Sequence, residues 1–266
     1  MFTSPFSTAF VLGGYEIKMY GVVMFFAIIC AILTVNFIAK KYYREVDVDI
    51  LTDFYPILII SGIICARAYY VILNIDYYIL KPSEIIALWH GGISIHGAIL
   101  GGVIAGILYF KKKKLSILKY ADVITYGLVM GQIIGRWGNF FNSEAFGTPC
   151  NLPWKLYIAP SYRPIEYYSY SYFHPTFLYE SLFCILIFLI LFFGVRKVQK
   201  ERDGLIFYSY FMLYSIGRFI IEGIRTDSVL NIGTVPIAQI ASVLLFITGA
   251  IGCIWAINKS KKLPPV

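Results

Sequence analysis

The sequence predicts an all-α, polytopic membrane protein of about seven transmembrane helices, with the N-terminus outside and the C-terminus in the cytosol. Three observations predict it. Of 266 residues, 59% are hydrophobic and only 14% charged, against about 25% charged in a soluble domain. The mean hydropathy is +0.72. The apolar residues gather into runs of about 20, the length that crosses a hydrocarbon core, and loops rich in Lys and Arg alternate with poor ones.

The same composition excludes a disordered chain, a coiled coil and a disulfide scaffold. The net charge of +8 does not indicate a nucleic-acid partner, because the basic residues sit in short clusters between apolar runs. Cys30, Cys65, Cys150, Cys184 and Cys253 are scattered without metal-ligand spacing, so neither a disulfide nor a zinc site is expected. Three histidines argue against a multi-histidine metal centre. The start of the chain lacks a basic n-region and a small-residue cleavage site, so the first span reads as a retained helix.

The spans fall at roughly 19–39, 51–73, 93–110, 119–140, 176–194, 204–224 and 235–257. Lys40, Lys41 and Arg44 follow the first, Lys111 to Lys114 and Lys119 the third, Arg196, Lys197, Lys200 and Arg202 the fifth, and Lys259, Lys261 and Lys262 the last. These are fifteen residues on one side; Lys18, Lys81, Lys155, Arg163 and Arg225 are five on the other, and Arg67, Arg136 and Arg218 lie within spans. The positive-inside rule puts the fifteen in the cytosol. The four-lysine run reads as an anchor at anionic headgroups. Residues 1–266 form one transmembrane domain in this reading. Within it, 142–175 is an outer-face head: five prolines and six tyrosines suppress helix and favour the interface.

Charged groups inside spans are costly, roughly 2.5–3.5 kcal/mol each at mid-bilayer on insertion scales, so their placement is informative. Arg67, Arg136, Asn139, Arg218 and Glu222 come late in outward-running spans, and Tyr20 and His96 early in inward-running ones. All are therefore expected at one outer level. Arg136 and Asn139 share a helix face, and Tyr214, Arg218 and Glu222 form one stripe. The three intramembrane arginines face few acids, chiefly Glu222, with Glu144 just beyond the fourth span. Such a cation excess at headgroup depth asks for an anion, a lipid phosphate above all, which the guanidinium fork binds bidentately. Arg218 and Glu222 also read as an intramembrane ion pair. Gly97, Gly101, Gly102 and Gly106 have the spacing of close helix packing. His96 beside Gly97 is a candidate general base; His90 reads as an interfacial residue and His174 as a helix-start residue.

The run Gly135-Arg136-Trp137-Gly138-Asn139-Phe140-Phe141-Asn142-Ser143-Glu144-Ala145-Phe146-Gly147 resembles the signature of the prolipoprotein diacylglyceryl transferases. Ala66-Arg67-Ala68-Tyr69-Tyr70, Gly92-Ile93-Ser94-Ile95-His96-Gly97, His174-Pro175-Thr176, Leu178-Tyr179-Glu180 and Gly217-Arg218-Phe219-Ile220-Ile221-Glu222 add to the likeness in family order. Departures are Ala98 where the family usually has Gly, Phe177 where Gln is common, Lys18-Met19-Tyr20-Gly21 for an Arg-Trp-Tyr-Gly start, and Arg225-Thr226-Asp227 for Arg-x-Pro-Asp.

The resemblance implies a transferase of lipoprotein biosynthesis in the bacterial plasma (inner) membrane, its active site facing the outer leaflet. Phosphatidylglycerol would give its diacylglyceryl group to the lipobox cysteine thiol of prolipoprotein signal peptides, releasing glycerol phosphate. His96, Arg136 and Arg218 would be catalytic. Arg136, Asn139, Glu144, Tyr20, Tyr214, Glu222 and Arg67 would bind the lipid. The partners would be phosphatidylglycerol, the prolipoprotein and the bilayer, with no nucleic acid, metal or other cofactor. The competing readings are a transporter or channel for an organic anion and a structural subunit. A transporter should carry polar residues through the full depth and usually an internal repeat; the inner halves of these spans are nearly all apolar. A structural subunit would explain the glycines but not the converging cations.

Overall fold

The computed structural model describes residues 1–3, 6–199, 202–226, 231–232 and 235–260. Lys200, Asp227, Lys261 and Lys262 lie outside the described residues. The helices are α1 (Met19–Tyr42), α2 (Val48–Leu73), α3 (Ile75–Leu80), α4 (Ile95–Lys112), α5 (Ile117–Asn142), α6 (Thr176–Leu189), α7 (Arg196–Gln199), α8 (Leu205–Glu222) and α9 (Ile237–Ser260). Short strands are β1 (Phe2–Thr3), β2 (Thr8–Leu12), β3 (Tyr15–Lys18), β4 (Leu156–Tyr157), β5 (Tyr172–Phe173), β6 (Asn231–Ile232) and β7 (Val235–Pro236). A π-helical stretch, Ile190–Val195, joins α6 to α7.

Among the described residues, seven helices are long and apolar enough to cross a membrane, each overlapping one predicted span. Their outward faces carry Phe25, Leu33, Ile60, Ile99, Leu182, Leu244 and Ile251, all exposed. Water would penalise so continuous an apolar surface; the protein is a multi-pass membrane protein. Helix ends follow local chemistry. Asp47 caps α2, accepting from the Asp49 amide at 2.8 Å, and Lys40, Lys41, Lys111 and Lys112 lie in last turns, opposite the negative end of the helix dipole.

The chain divides into two compact units, Met1–Ile38 with Ala121–Val266, and Ala39–Tyr120. In the first, small residues set helix approach. A Cβ on Gly217 would overlap the Phe183 ring, and one on Gly249 would come within 2.7 Å of the Tyr208 carbonyl oxygen and 2.8 Å of Met212. Tyr126, Ile187, Leu191 and Ile206 fill the interior. Residues 142–175 hold no helix longer than a 3₁₀ turn. They build β4 and β5, which with β1 make a sheet of order β1-β4-β5; Phe2 pairs with Leu156 and Leu156 with Phe173. Phe146, Leu156, Ile158, Phe173 and Phe177 form its core. Phe177 is therefore a core residue, its ring 4.9 Å from Phe140 and 5.4 Å from Trp137.

β2 and β3 form a hairpin with Gly13 and Gly14 at its turn, both at positive φ. Phe10, Val11, Leu12 and Tyr15 are exposed on it. Near its base, Lys18 hydrogen-bonds Glu16 and holds that carboxyl below its ordinary pKa. The second unit is α2 packed on α4. A Cβ on Gly97 would overlap the Cys65 carbonyl oxygen, and one on Gly101 would come within 2.6 Å of Ser61 O. The predicted small-residue seam is thus the α2–α4 contact.

Candidate active site

Four helices of the first unit bring polar groups to one end. Arg136 sits near the C-terminal end of α5, Glu180 in the first turn and a half of α6, and Arg218 and Glu222 in the last turns of α8. Tyr20 opens α1. Glu180 is the hub. Its Oε2 lies 2.7 Å from Arg136 Nε, and its Oε1 lies 3.3 Å from Arg218 Nη1 and 3.4 Å from Arg225 Nη1. Glu222 closes the other side, 2.6 Å from Arg218 Nη2 and 3.9 Å from Arg225 Nε. Both carboxylates are buried, with side chains 6% and 4% exposed.

Arg136 also donates from Nη2 to the Tyr214 hydroxyl at 3.2 Å, and the Tyr214 ring stacks on Tyr210. Tyr214 and Arg218 of the stripe expected on α8 therefore face α5 and α6, and Glu222 pairs within the stripe with Arg218. A small crevice opens there, lined by Glu180, Phe183, Cys184, Tyr214, Gly217, Arg218 and Ile221.

The end of α5 is shaped by backbone as much as by side chains. Ser143 and Ala145 both adopt φ of 53°, uncommon for residues with a Cβ. Between them Glu144 turns back, and its Oε1 accepts from Asn139 Nδ2 and Asn142 Nδ2, each at 3.4 Å. The Thr176 hydroxyl hydrogen-bonds the Ala145 carbonyl, tying the turn to α6. Two glycines of the run are forced by contact. A Cβ on Gly138 would lie 2.8 Å from the Tyr20 ring; one on Gly147 would lie 2.8 Å from His174 Cβ and 2.9 Å from the Ile224 carbonyl oxygen.

In the second unit, α4 begins at Ile95, so His96 lies in its first turn, exposed, its ring 6.1 Å from that of Tyr69. Arg67 was expected to bind lipid. It is 7% exposed and donates to five backbone carbonyls of the segment leading into α4. Its donors are occupied by protein, which leaves none aimed at an outside anion. His90 pairs with Glu84 at 2.7 Å, and His174 Nδ1 lies 3.2 Å from the Tyr179 hydroxyl.

Two members of the cluster were not foreseen. Glu180 has no charged partner at helical spacing in the sequence, although an acid inside an apolar span is itself a signal. Arg225 was counted as an outer-loop residue, although it is i,i+3 from Glu222. With both included, the expected cation excess shrinks. Among the described residues, Arg136, Arg218 and Arg225 face Glu180 and Glu222.

A family model described as prolipoprotein diacylglyceryl transferase matches residues 7–255. A protein of Synechococcus elongatus named phosphatidylglycerol–prolipoprotein diacylglyceryl transferase is 43% identical, covering 100% of this chain and 92% of its own length. Proteins of the same name from Acaryochloris marina and Synechocystis are each 43% identical, covering 99% of this chain and 95% and 93% of their own lengths.

Proposed function

Because the chain belongs to the prolipoprotein diacylglyceryl transferase family, we propose that it transfers the diacylglyceryl group of phosphatidylglycerol to the lipobox cysteine thiol of prolipoproteins. This is the first step of bacterial lipoprotein maturation. The reaction would run in the plasma membrane at the outer leaflet, with the N-terminus and the 142–175 head on the outside.

The chemistry needs three things. A thiol must lose its proton, because the thiolate is the nucleophile. The thiolate must reach the glycerol carbon bearing the phosphate, where the carbon–sulfur bond forms as the carbon–oxygen bond breaks. The departing glycerol phosphate must have its growing negative charge stabilised by fixed positive groups. His96 takes the proton. Arg136 and Arg218 receive the phosphate, their guanidinium groups held in place by Glu180 and Glu222. Asn139 and Glu144 fix the end of α5, and Tyr20 and Tyr214 line the cavity.

The observation that carries this reading is the Glu180-centred cluster. Two buried carboxylates orient three arginines, and Arg218, Tyr214 and Glu180 also border a small crevice, which supports a site of fixed positive groups for a phosphate. Purified protein incubated with phosphatidylglycerol and a lipobox peptide should yield a peptide whose mass rises by one thioether-linked diacylglyceryl group. Replacing the peptide cysteine by serine, or Arg136 by alanine, should abolish it. An unmodified peptide together with anion flux in sealed vesicles would favour the transporter instead.

A further inference from the structure

We propose that Arg67 is a positioning residue for His96: it locks the 84–92 segment onto α2 and thereby fixes where α4 begins. The proposal rests on the reading of His96 as the base.

Arg67 has no ion pair among the described residues. Its guanidinium is used on the main chain. Nε donates to Ile85 O at 2.8 Å; Nη1 to Gly91 O and Gly92 O at 2.6 and 2.7 Å; Nη2 to Glu84 O at 2.5 Å and Ala87 O at 3.4 Å. The Tyr78 ring lies 5.2 Å from its Cζ. A buried guanidinium is costly unless its donors are satisfied. Here one side chain neutralises that cost and simultaneously satisfies carbonyls of a segment that has only two short 3₁₀ turns, Pro82–Ile86 and Leu88–His90.

The link to His96 is short. Gly91 and Gly92, both at positive φ, carry the two carbonyls bound by Nη1. Two residues later the Ser94 amide donates to Ala66 O at 3.1 Å, next to Arg67 on α2. Ser94 is the N-cap of α4 but makes no side-chain capping bond, so the start of the helix is not set by its own cap. It is set by the chain path that Arg67 and Ala66 impose. His96 follows in the first turn, with Gly97 pressed on α2. Gly92 seats the guanidinium closely: a Cβ there would lie 2.7 Å from Arg67 Nη1 and 2.7 Å from the Tyr70 ring.

A lysine at 67 keeps the charge but offers one ammonium to carbonyls that a planar fork spans. The test compares Arg67→Lys, Gly92→Ala and His96→Gln in the transfer assay, with amide hydrogen exchange over residues 84–96. Misplacement of a catalytic group by about 1 Å costs up to ~100-fold in rate. Arg67→Lys and Gly92→Ala should each lower kcat by ~10-fold or more with KM for phosphatidylglycerol unchanged, and both should speed exchange in 84–96. On a His96→Gln background, Arg67→Lys should add little further loss, as expected for residues acting through one another. If Arg67→Lys does not fold, Gly92→Ala decides alone, since it disturbs the Arg67 seat and the positive-φ turn that presents the Gly91 and Gly92 carbonyls without changing the charge. A raised KM with unchanged kcat would make Arg67 a lipid contact and overturn the proposal. Unchanged kcat and exchange would overturn it too, as would losses that add to those of His96→Gln. Wild-type rates in His96→Gln alone would instead sink the base assignment, leaving the exchange measurement to judge whether Arg67 anchors the segment.

Discussion

Glu180 of α6 meets Arg136 of α5 edge-on, Oε2 to Nε at 2.7 Å, and gives its other oxygen to Arg218 and Arg225. One carboxylate thus sets the position of three guanidinium groups drawn from α5, α8 and the residues after α8. Arginine alone would sample many rotamers; a shared buried acceptor removes that freedom before substrate arrives.

Glu180→Gln keeps the shape and removes the charge. Breaking a buried pair from one side typically costs about 3–5 kcal/mol, because the partner's charge is left uncompensated. The variant should unfold at a lower temperature in detergent and lose ~100-fold or more in turnover, since all three arginines shift. Thermal unfolding and transfer rate check it; wild-type values in both would show that Glu180 is not the hub.

Arg225 tests the charge count. It shares both carboxylates but lies at 3.4 and 3.9 Å, longer than the pairs of Arg136 and of Arg218 with Glu222. Arg225→Gln removes one positive charge from the cluster while sparing the other two arginines. KM for phosphatidylglycerol should rise several-fold, with a smaller change in kcat. Arg218→Lys should behave differently, because one ammonium cannot span Glu180 and Glu222 as two guanidinium nitrogens do; kcat should fall. Equal effects on KM from both variants would contradict this division.

Gly138 and Gly147 are predicted to be intolerant, each for a local reason. Alanine at 138 drives a methyl into the Tyr20 ring, and alanine at 147 drives one between His174 and the Ile224 carbonyl. Overpacking of this kind costs roughly 1–3 kcal/mol. Gly138→Ala should mainly reduce activity through Tyr20, and Gly147→Ala should lower the unfolding temperature. Gly21 has nothing within 4 Å of an added Cβ, so Gly21→Ala should match the parent in both assays.

Hydropathy made the helices legible, because a membrane span must satisfy its backbone internally and cover itself with apolar side chains. The stripe of Tyr214, Arg218 and Glu222 was legible from helical spacing alone. Glu180 was not, since no i,i+4 partner on α6 marks it; its partners come from α5, α8 and the residues beyond α8, contacts that only the fold brings together. The acceptors of Arg67 were not legible for a related reason. A buried arginine signals a need for acceptors, but the sequence does not say whether these are phosphate oxygens or main-chain carbonyls. The Ser143 and Ala145 conformations also left no trace, as neither residue type demands positive φ.

Asp122 gives the sharpest stability prediction. It is completely buried in α5. Its Oδ2 accepts from Gln199 Nε2 at 2.6 Å and the Gly204 amide at 2.7 Å, and its Oδ1 from the Phe207 amide at 2.9 Å. α8 starts from Gly204 in the left-handed conformation with no side-chain cap of its own. Asp122 therefore supplies from another helix the capping acceptor that a Ser or Asp would supply locally, and its carboxylate sits at the positive end of the α8 dipole. Hydrogen bonds to charged groups contribute about 1.5–3 kcal/mol each, so Asp122→Ala should destabilise by roughly 3 kcal/mol or more. Asp122→Asn keeps one acceptor and should lose less. Fourteen residues of helix, about 21 Å at 1.5 Å per residue, separate it from Arg136. The folded fraction of either variant should keep its KM for phosphatidylglycerol. Guanidinium-free thermal unfolding in detergent, paired with kinetics on the surviving protein, separates the two effects. A variant that is as stable as the parent would show that α8 needs no cap from α5, and one that is stable but inactive would place Asp122 in the chemistry.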